Sequence, residues 1–127
     1  MTSKRLLAVA AIVESITGLA LIAQPALVAR LLLGAEISGA GLAVGRVAGC
    51  GLLSLGLACW PRGEAALPAL RAMFTYNLLV AAYLASLRVS GDLVGRLQLP
   101  VIALHTVLAL LFGTVLVRAT GALQGRR

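Results

Sequence analysis

The chain has 127 residues, of which 61% are hydrophobic and only 12% are charged. A soluble domain carries about 25% charged residues, so this composition excludes an ordinary soluble globule, and the apolar content excludes a disordered chain. The net charge is +7, but aromatic residues make up only 4%, which is too few to stack on nucleic-acid bases. The composition therefore indicates a membrane-embedded protein without a nucleic-acid partner.

Four apolar runs each approach the ~20 residues that a helix needs to cross a bilayer. They predict membrane spans over residues of about 6–24, 39–60, 68–88 and 100–118. After Pro25, the short apolar segment from Ala26 to Leu33 predicts an interfacial helix that Gly34 can cap. The polar tail from Thr120 onward is expected to fray. The predicted fold class is all-α, with residues 1–127 forming one transmembrane domain, a four-transmembrane-helix bundle.

The basic residues predict the orientation of these spans. Seven Lys and Arg residues fall on the side of the N-terminus, three fall on the other side, and Arg46 lies inside a span. Because Lys and Arg are enriched in cytoplasmic segments, this bias predicts that both termini are cytoplasmic.

The second span carries a stripe of glycines at four-residue spacing, Gly41, Gly45 and Gly49. Small residues at this spacing allow the backbone of another helix to approach closely, which is how helices associate in lipid. The stripe predicts close helix packing, either inside the bundle or across a dimer face.

Each span also carries one strongly polar side chain, and these are Glu14, Arg46, Asn77 (with Tyr76 beside it) and His105. Ionisable groups are costly in a bilayer, so we expect them to face the bundle interior. A helix rise of 1.5 Å per residue places Tyr83 near the depth of Arg46 and His105. The predicted ligand or proton site comprises Glu14, Arg46, Asn77, Tyr83 and His105.

Two interpretations of this set remain open. The polar groups either fix the register of the bundle without further function, or line a small cavity that opens outward and holds an anion, a proton or a polar head group. A single histidine cannot form a bis-histidine haem site, and no cysteine and histidine cluster indicates a metal. The sequence predicts no cofactor and no catalytic residue.

The order of elements resembles the DoxX-like group of small four-helix bacterial membrane proteins. The features that carry the resemblance are the first-span stretch from Glu14 to Gly18, Pro25, the segment ending at Gly34, Arg46 in a small-residue span and His105 in the last span. The resemblance implies a bacterial inner-membrane location and assigns no catalytic residue.

The chain also resembles the small multidrug resistance transporters, which have four spans of this size and a buried glutamate in the first span, as Glu14 is here. The motif rich in Gly, Ala, Tyr and Trp that their third span carries is absent from Met73 to Leu84.

Three function classes follow from these features. The small size and the lack of a nucleophile–base motif favour a non-enzymatic accessory or ligand-binding subunit, embedded in the lipid bilayer beside a larger membrane complex or in a homodimer. The alternatives are a proton-coupled transporter with Glu14 as the carrier, and a membrane enzyme acting on a lipid or quinone through His105 and Glu14.

Overall fold

Helices form almost all of the chain that the computed structural model describes, residues 2–62 and 67–124. They are α1 (Ser3–Ala23), α2 (Pro25–Leu33), α3 (Ala40–Ala58), α4 (Leu67–Ser90) and α5 (Gln98–Gln124). Four of them, α1, α3, α4 and α5, are long and apolar enough to cross a membrane. The all-α class with four spans is confirmed, and the chain is a multi-pass membrane protein.

Local signals explain most helix boundaries. The Thr2 side chain caps α1 by accepting a hydrogen bond from the Arg5 backbone N–H. The short helix α2 begins at Pro25 and ends at Leu33. It is capped by Gly34, whose φ of 70° is a backbone conformation that glycine adopts without strain. The expected frayed tail from Thr120 is wrong as far as Gln124, because α5 continues to that residue; residues 125–127 lie outside the described part.

The helices α1 and α3 form a closely packed hairpin through glycine. A Cβ added at Gly49 would lie 2.6 Å from the Gly18 carbonyl oxygen, and one at Gly18 would lie 2.7 Å from the Gly49 carbonyl oxygen. Near the other end of the contact, a Cβ on Gly56 would meet the Ala11 carbonyl oxygen at 2.7 Å. Only residues without a side chain fit where two backbones come this close.

The other two glycines of the predicted stripe also have neighbours within the chain. A Cβ at Gly45 would lie 2.9 Å from the Pro25 Cβ, and one at Gly41 would lie 3.3 Å from the Ile37 Cβ. All three glycines of the stripe therefore contact α1, α2 or the segment before α3.

The helices α4 and α5 form the second hairpin, and α1 joins it to the first. The buried core contains Leu6 and Leu7 of α1, Met73 of α4 and Leu108 and Phe112 of α5, each at most 3% exposed. Since consecutive spans alternate in direction, the N-termini of α1 and α4 and the C-termini of α3 and α5 share one end of the bundle, which we call the terminal end. The opposite end, which carries the α2–α3 and α4–α5 connections, is the loop end.

Candidate functional site

Three of the polar residues lie on the buried stripes of their helices. Glu14 belongs to the α1 stripe that also buries Ala10 and Gly18, at the four-residue spacing of one helical face. Asn77 lies on the buried face of α4, and His105 on that of α5. The exposed fractions of Glu14, Asn77 and His105 are 1%, 0% and 6%, so all three lie inside the bundle.

The contact between Asn77 and His105 is a direct hydrogen bond between α4 and α5. The Asn77 amide nitrogen donates to the Met73 carbonyl oxygen at 2.8 Å, which directs the Asn77 Oδ1 toward α5. That oxygen lies 2.8 Å from the His105 Nδ1. Because Oδ1 can only accept, the network assigns the proton to Nδ1, and the lone pair of Nε2 is then an acceptor in the neutral ring.

Tyr76 links the histidine to the glutamate. Its ring meets the His105 ring edge to face, with centroids 5.8 Å apart and an interplanar angle of 78°. Its hydroxyl lies beside the carboxyl group of Glu14. Glu14, Tyr76, Asn77 and His105 thus form one continuous set, which we call the polar cluster, and it connects α1 with α4 and α5.

Glu14 is incompletely satisfied within the polar cluster. Its Oε1 is buried and has no hydrogen-bond partner among the described residues. Glu14 forms no salt bridge with the described residues. The salt bridge found among them joins Arg30 to Glu36 near the loop end, at 3.8 Å between exposed side chains. A buried carboxyl oxygen without a donor costs free energy, about 1–3 kcal/mol, so it calls for an explanation.

Two residues expected at the site lie elsewhere. Arg46 is exposed on α3, and Tyr83 is 64% exposed on α4, so the expectation that they face the interior with Glu14 and His105 is wrong. The α3 face that packs on α1 is made of glycine backbone and leaves no room for an arginine. The buried face of α4 runs through Met73, Asn77, Ala81 and Leu84, and Tyr83 does not lie on it.

Tyr76 belongs to the polar cluster, although the site predicted from the sequence does not include it. The signal that could have identified it is its position one residue from a buried asparagine, on the side of α4 that faces both α1 and α5. A second buried amide that was missed, Gln98, is fully buried and donates its Nε2 to the Leu93 carbonyl oxygen at 2.9 Å. Through this hydrogen bond Gln98 links the start of α5 to the α4–α5 loop, and it does not belong to the polar cluster.

The chemistry of the polar cluster is dominated by acceptors. The Glu14 Oε1 and the His105 Nε2 can each accept a hydrogen bond, and the Tyr76 hydroxyl can donate one. With Arg46 on the outside of α3, no basic side chain of α3 enters the set. These acceptors match the hydrogen-bonding chemistry of a proton or a cationic donor, whereas an anion would meet a carboxyl group.

Among the residues that the structure describes, no group of three or more His, Cys, Asp or Glu side chains could hold a metal ion. Comparison with known proteins returns no matching family model, no matching curated protein and no matching solved structure.

Proposed function

We propose that this chain is a non-enzymatic accessory or ligand-binding membrane protein that reversibly binds a proton or a small cationic ligand at the polar cluster. The observation that carries the proposal is Glu14, which is 1% exposed near the middle of α1 and has one carboxyl oxygen without a partner among the described residues. An ionisable side chain inside the membrane costs a few kcal/mol and commonly marks a functional site.

The arrangement of donors and acceptors supports this choice of ligand. The Asn77 Oδ1 already interacts with the His105 Nδ1, and the Asn77 amide nitrogen with a backbone carbonyl. What remains is acceptor capacity on Glu14 and on the Nε2 of His105, with the Tyr76 hydroxyl beside Glu14. A proton or an ammonium group supplies the missing donor, which an anion or an apolar ligand does not.

A second candidate, a proton-coupled transporter resembling the small multidrug resistance proteins, is favoured by one feature of the fold. Glu14 lies on the α1–α3 hairpin, whereas Tyr76, Asn77 and His105 lie on the α4–α5 hairpin. A relative movement of the two hairpins would separate Glu14 from its neighbours and change its access to water. Alternating exposure of a proton-binding carboxylate is what coupled transport requires.

The proposal includes membership of the DoxX-like group and a place in a bacterial inner membrane with both termini cytoplasmic. It also includes a protein partner, either a larger membrane complex or a second copy of the chain. The support for a partner comes from α3, where only 11% of an 18-residue apolar stretch is buried within the chain. A spanning helix that exposes this much surface has room for a neighbour other than lipid.

Infrared difference spectroscopy tests proton binding at Glu14. The protein in lipid nanodiscs is titrated with acid, and the carbonyl stretch of a protonated carboxyl group is followed. Every carboxyl group of the chain contributes a pH-dependent band, and we expect Glu14→Gln to remove one of these bands. The matched control is Glu36→Gln, which changes an exposed carboxylate at the loop end and should leave that band in place.

The outcomes separate the proposals. If Glu14→Gln leaves every titrating band intact, Glu14 does not exchange a proton and the polar cluster serves only to fix helix register. Proteoliposomes with an internal pH dye address transport: a transporter would carry protons in a way that Glu14→Gln abolishes, whereas a binding subunit would show no flux in either form.

A further inference from the structure

The outer surface of the α4–α5 hairpin carries a long apolar groove of about 820 Å³, which is separate from the polar cluster. On α5 its lining runs from Ile102 to Arg118, which at 1.5 Å per residue is about 24 Å. Half of the hydrocarbon core of a bilayer is about 15 Å thick. The groove is therefore long enough to follow an extended hydrocarbon chain through one leaflet.

Small residues create this groove. Ala81, Ala82 and Ala85 line it from α4, and Ala109 and Gly113 line it from α5. At Gly113 an added Cβ would lie 3.3 Å from the Phe74 ring, so the ring fills part of the space that a side chain would occupy. Since the groove lies on two membrane-spanning helices, its apolar walls must be covered by another apolar group.

Two basic residues stand at the terminal end of the groove. Arg118 is one of the lining residues and is exposed. Arg71 is exposed on α4, three residues before Phe74 and seven before Leu78, which places it on the same helical face as these two lining residues. Because α4 and α5 are antiparallel, the start of α4 and the end of α5 meet at one level of the membrane.

The acidic side chains that the structure describes lie away from this end. Glu36 and Asp92 belong to the connections at the loop end, and Glu14 is buried in the polar cluster. An apolar groove that ends at two arginines is complementary to a molecule with a hydrocarbon chain and an anionic head.

We propose that the α4–α5 groove binds an anionic glycerophospholipid, with one acyl chain along the alanine-lined walls and its phosphate between Arg71 and Arg118. A second copy of the chain is a poorer occupant. A two-fold axis along the membrane normal would bring the Arg71 and Arg118 of both copies to the same level, where like charges repel. Occupancy by a phospholipid does not depend on proton binding at Glu14.

Native mass spectrometry tests this proposal. The full chain in detergent is titrated with phosphatidylglycerol or with phosphatidylcholine of the same acyl chains, and the bound lipids are counted. We expect tighter binding of phosphatidylglycerol. Arg71→Gln and Arg118→Gln should each weaken it by about fivefold, the factor that corresponds to ~1 kcal/mol per basic residue at an anionic surface. Arg96→Gln, an exposed arginine at the loop end, should leave it unchanged.

A second pair of variants tests the groove itself. Ala82→Phe fills the groove from an exposed position and should prevent the lipid from binding. Ala48→Phe changes an exposed alanine of α3 and should leave lipid binding unchanged. Equal affinity for the two lipids in the unmodified chain would overturn the proposal, as would equal effects of Ala82→Phe and Ala48→Phe. Dimers that form in place of lipid adducts and that Ala82→Phe breaks would also overturn it, because the occupant would then be a second copy.

Discussion

Replacing Gly49 with alanine is expected to separate α1 from α3. The added Cβ would lie 2.6 Å from the Gly18 carbonyl oxygen, about 0.8 Å short of the 3.4 Å at which ordinary contact begins. It would also lie 2.9 Å from the Ile22 backbone nitrogen. Backbone atoms of a helix cannot rotate aside as a side chain does, so the helices themselves must move apart, and overpacking of this kind costs about 1–3 kcal/mol.

The same helix offers a matched control at Gly51, where an added Cβ would have no heavy atom within 4 Å. There Gly51→Ala should stabilise α3 by about 0.5–1 kcal/mol, because alanine loses less backbone entropy than glycine in a helix. The two alanine variants should thus differ by roughly 1.5–4 kcal/mol in the free energy of unfolding. The measurement is titration with sodium dodecyl sulfate in mixed micelles, followed by circular dichroism. Equal unfolding free energies for the two variants would refute the close α1–α3 contact.

Two further predictions concern the polar cluster and the topology. Asn77→Ala should lower the free energy of unfolding by about 1–3 kcal/mol, because it leaves the His105 Nδ1 buried without an acceptor. A double-mutant cycle with His105→Ala in the same unfolding assay should show coupling between the two residues, and a coupling energy near zero would contradict the hydrogen bond. Reporter fusions after Leu33 should report the periplasm and fusions after Arg62 the cytoplasm, and a cytoplasmic signal after Leu33 would contradict the proposed orientation.

The spans could be predicted from the sequence because length and apolar content define them. The four predicted runs correspond to α1, α3, α4 and α5, and the short segment after Pro25 corresponds to α2. The face that each helix turns toward the core could not be predicted in the same way. In a membrane protein the lipid-facing and core-facing sides are both apolar, so the pattern that orients a helix in a soluble protein is nearly absent.

This ambiguity explains which parts of the site were predicted. Glu14, Asn77 and His105 were placed in the interior by the cost of a polar group in lipid, and the structure buries them. The same argument was wrong for Arg46, because a long basic side chain about 9 Å from the start of α3 can extend its charged group along the helix surface toward the interface. Tyr83 was included by its depth, which does not fix the rotation of α4.

The division of the polar cluster between two hairpins has a consequence for membrane insertion. The helix α1 is made first, so Glu14 reaches the membrane before Tyr76 and His105 have been synthesised. An acidic residue at the centre of an inserting helix costs roughly 2.5–3.5 kcal/mol, and each Leu, Ile or Val returns about 0.3–0.6 kcal/mol. The nine Leu, Ile and Val residues of α1 supply about 3–5 kcal/mol, which is comparable to or larger than the cost of the unaccompanied glutamate. Arrival of α4 and α5 then surrounds the carboxyl group, which makes assembly of the second hairpin the step that completes the site.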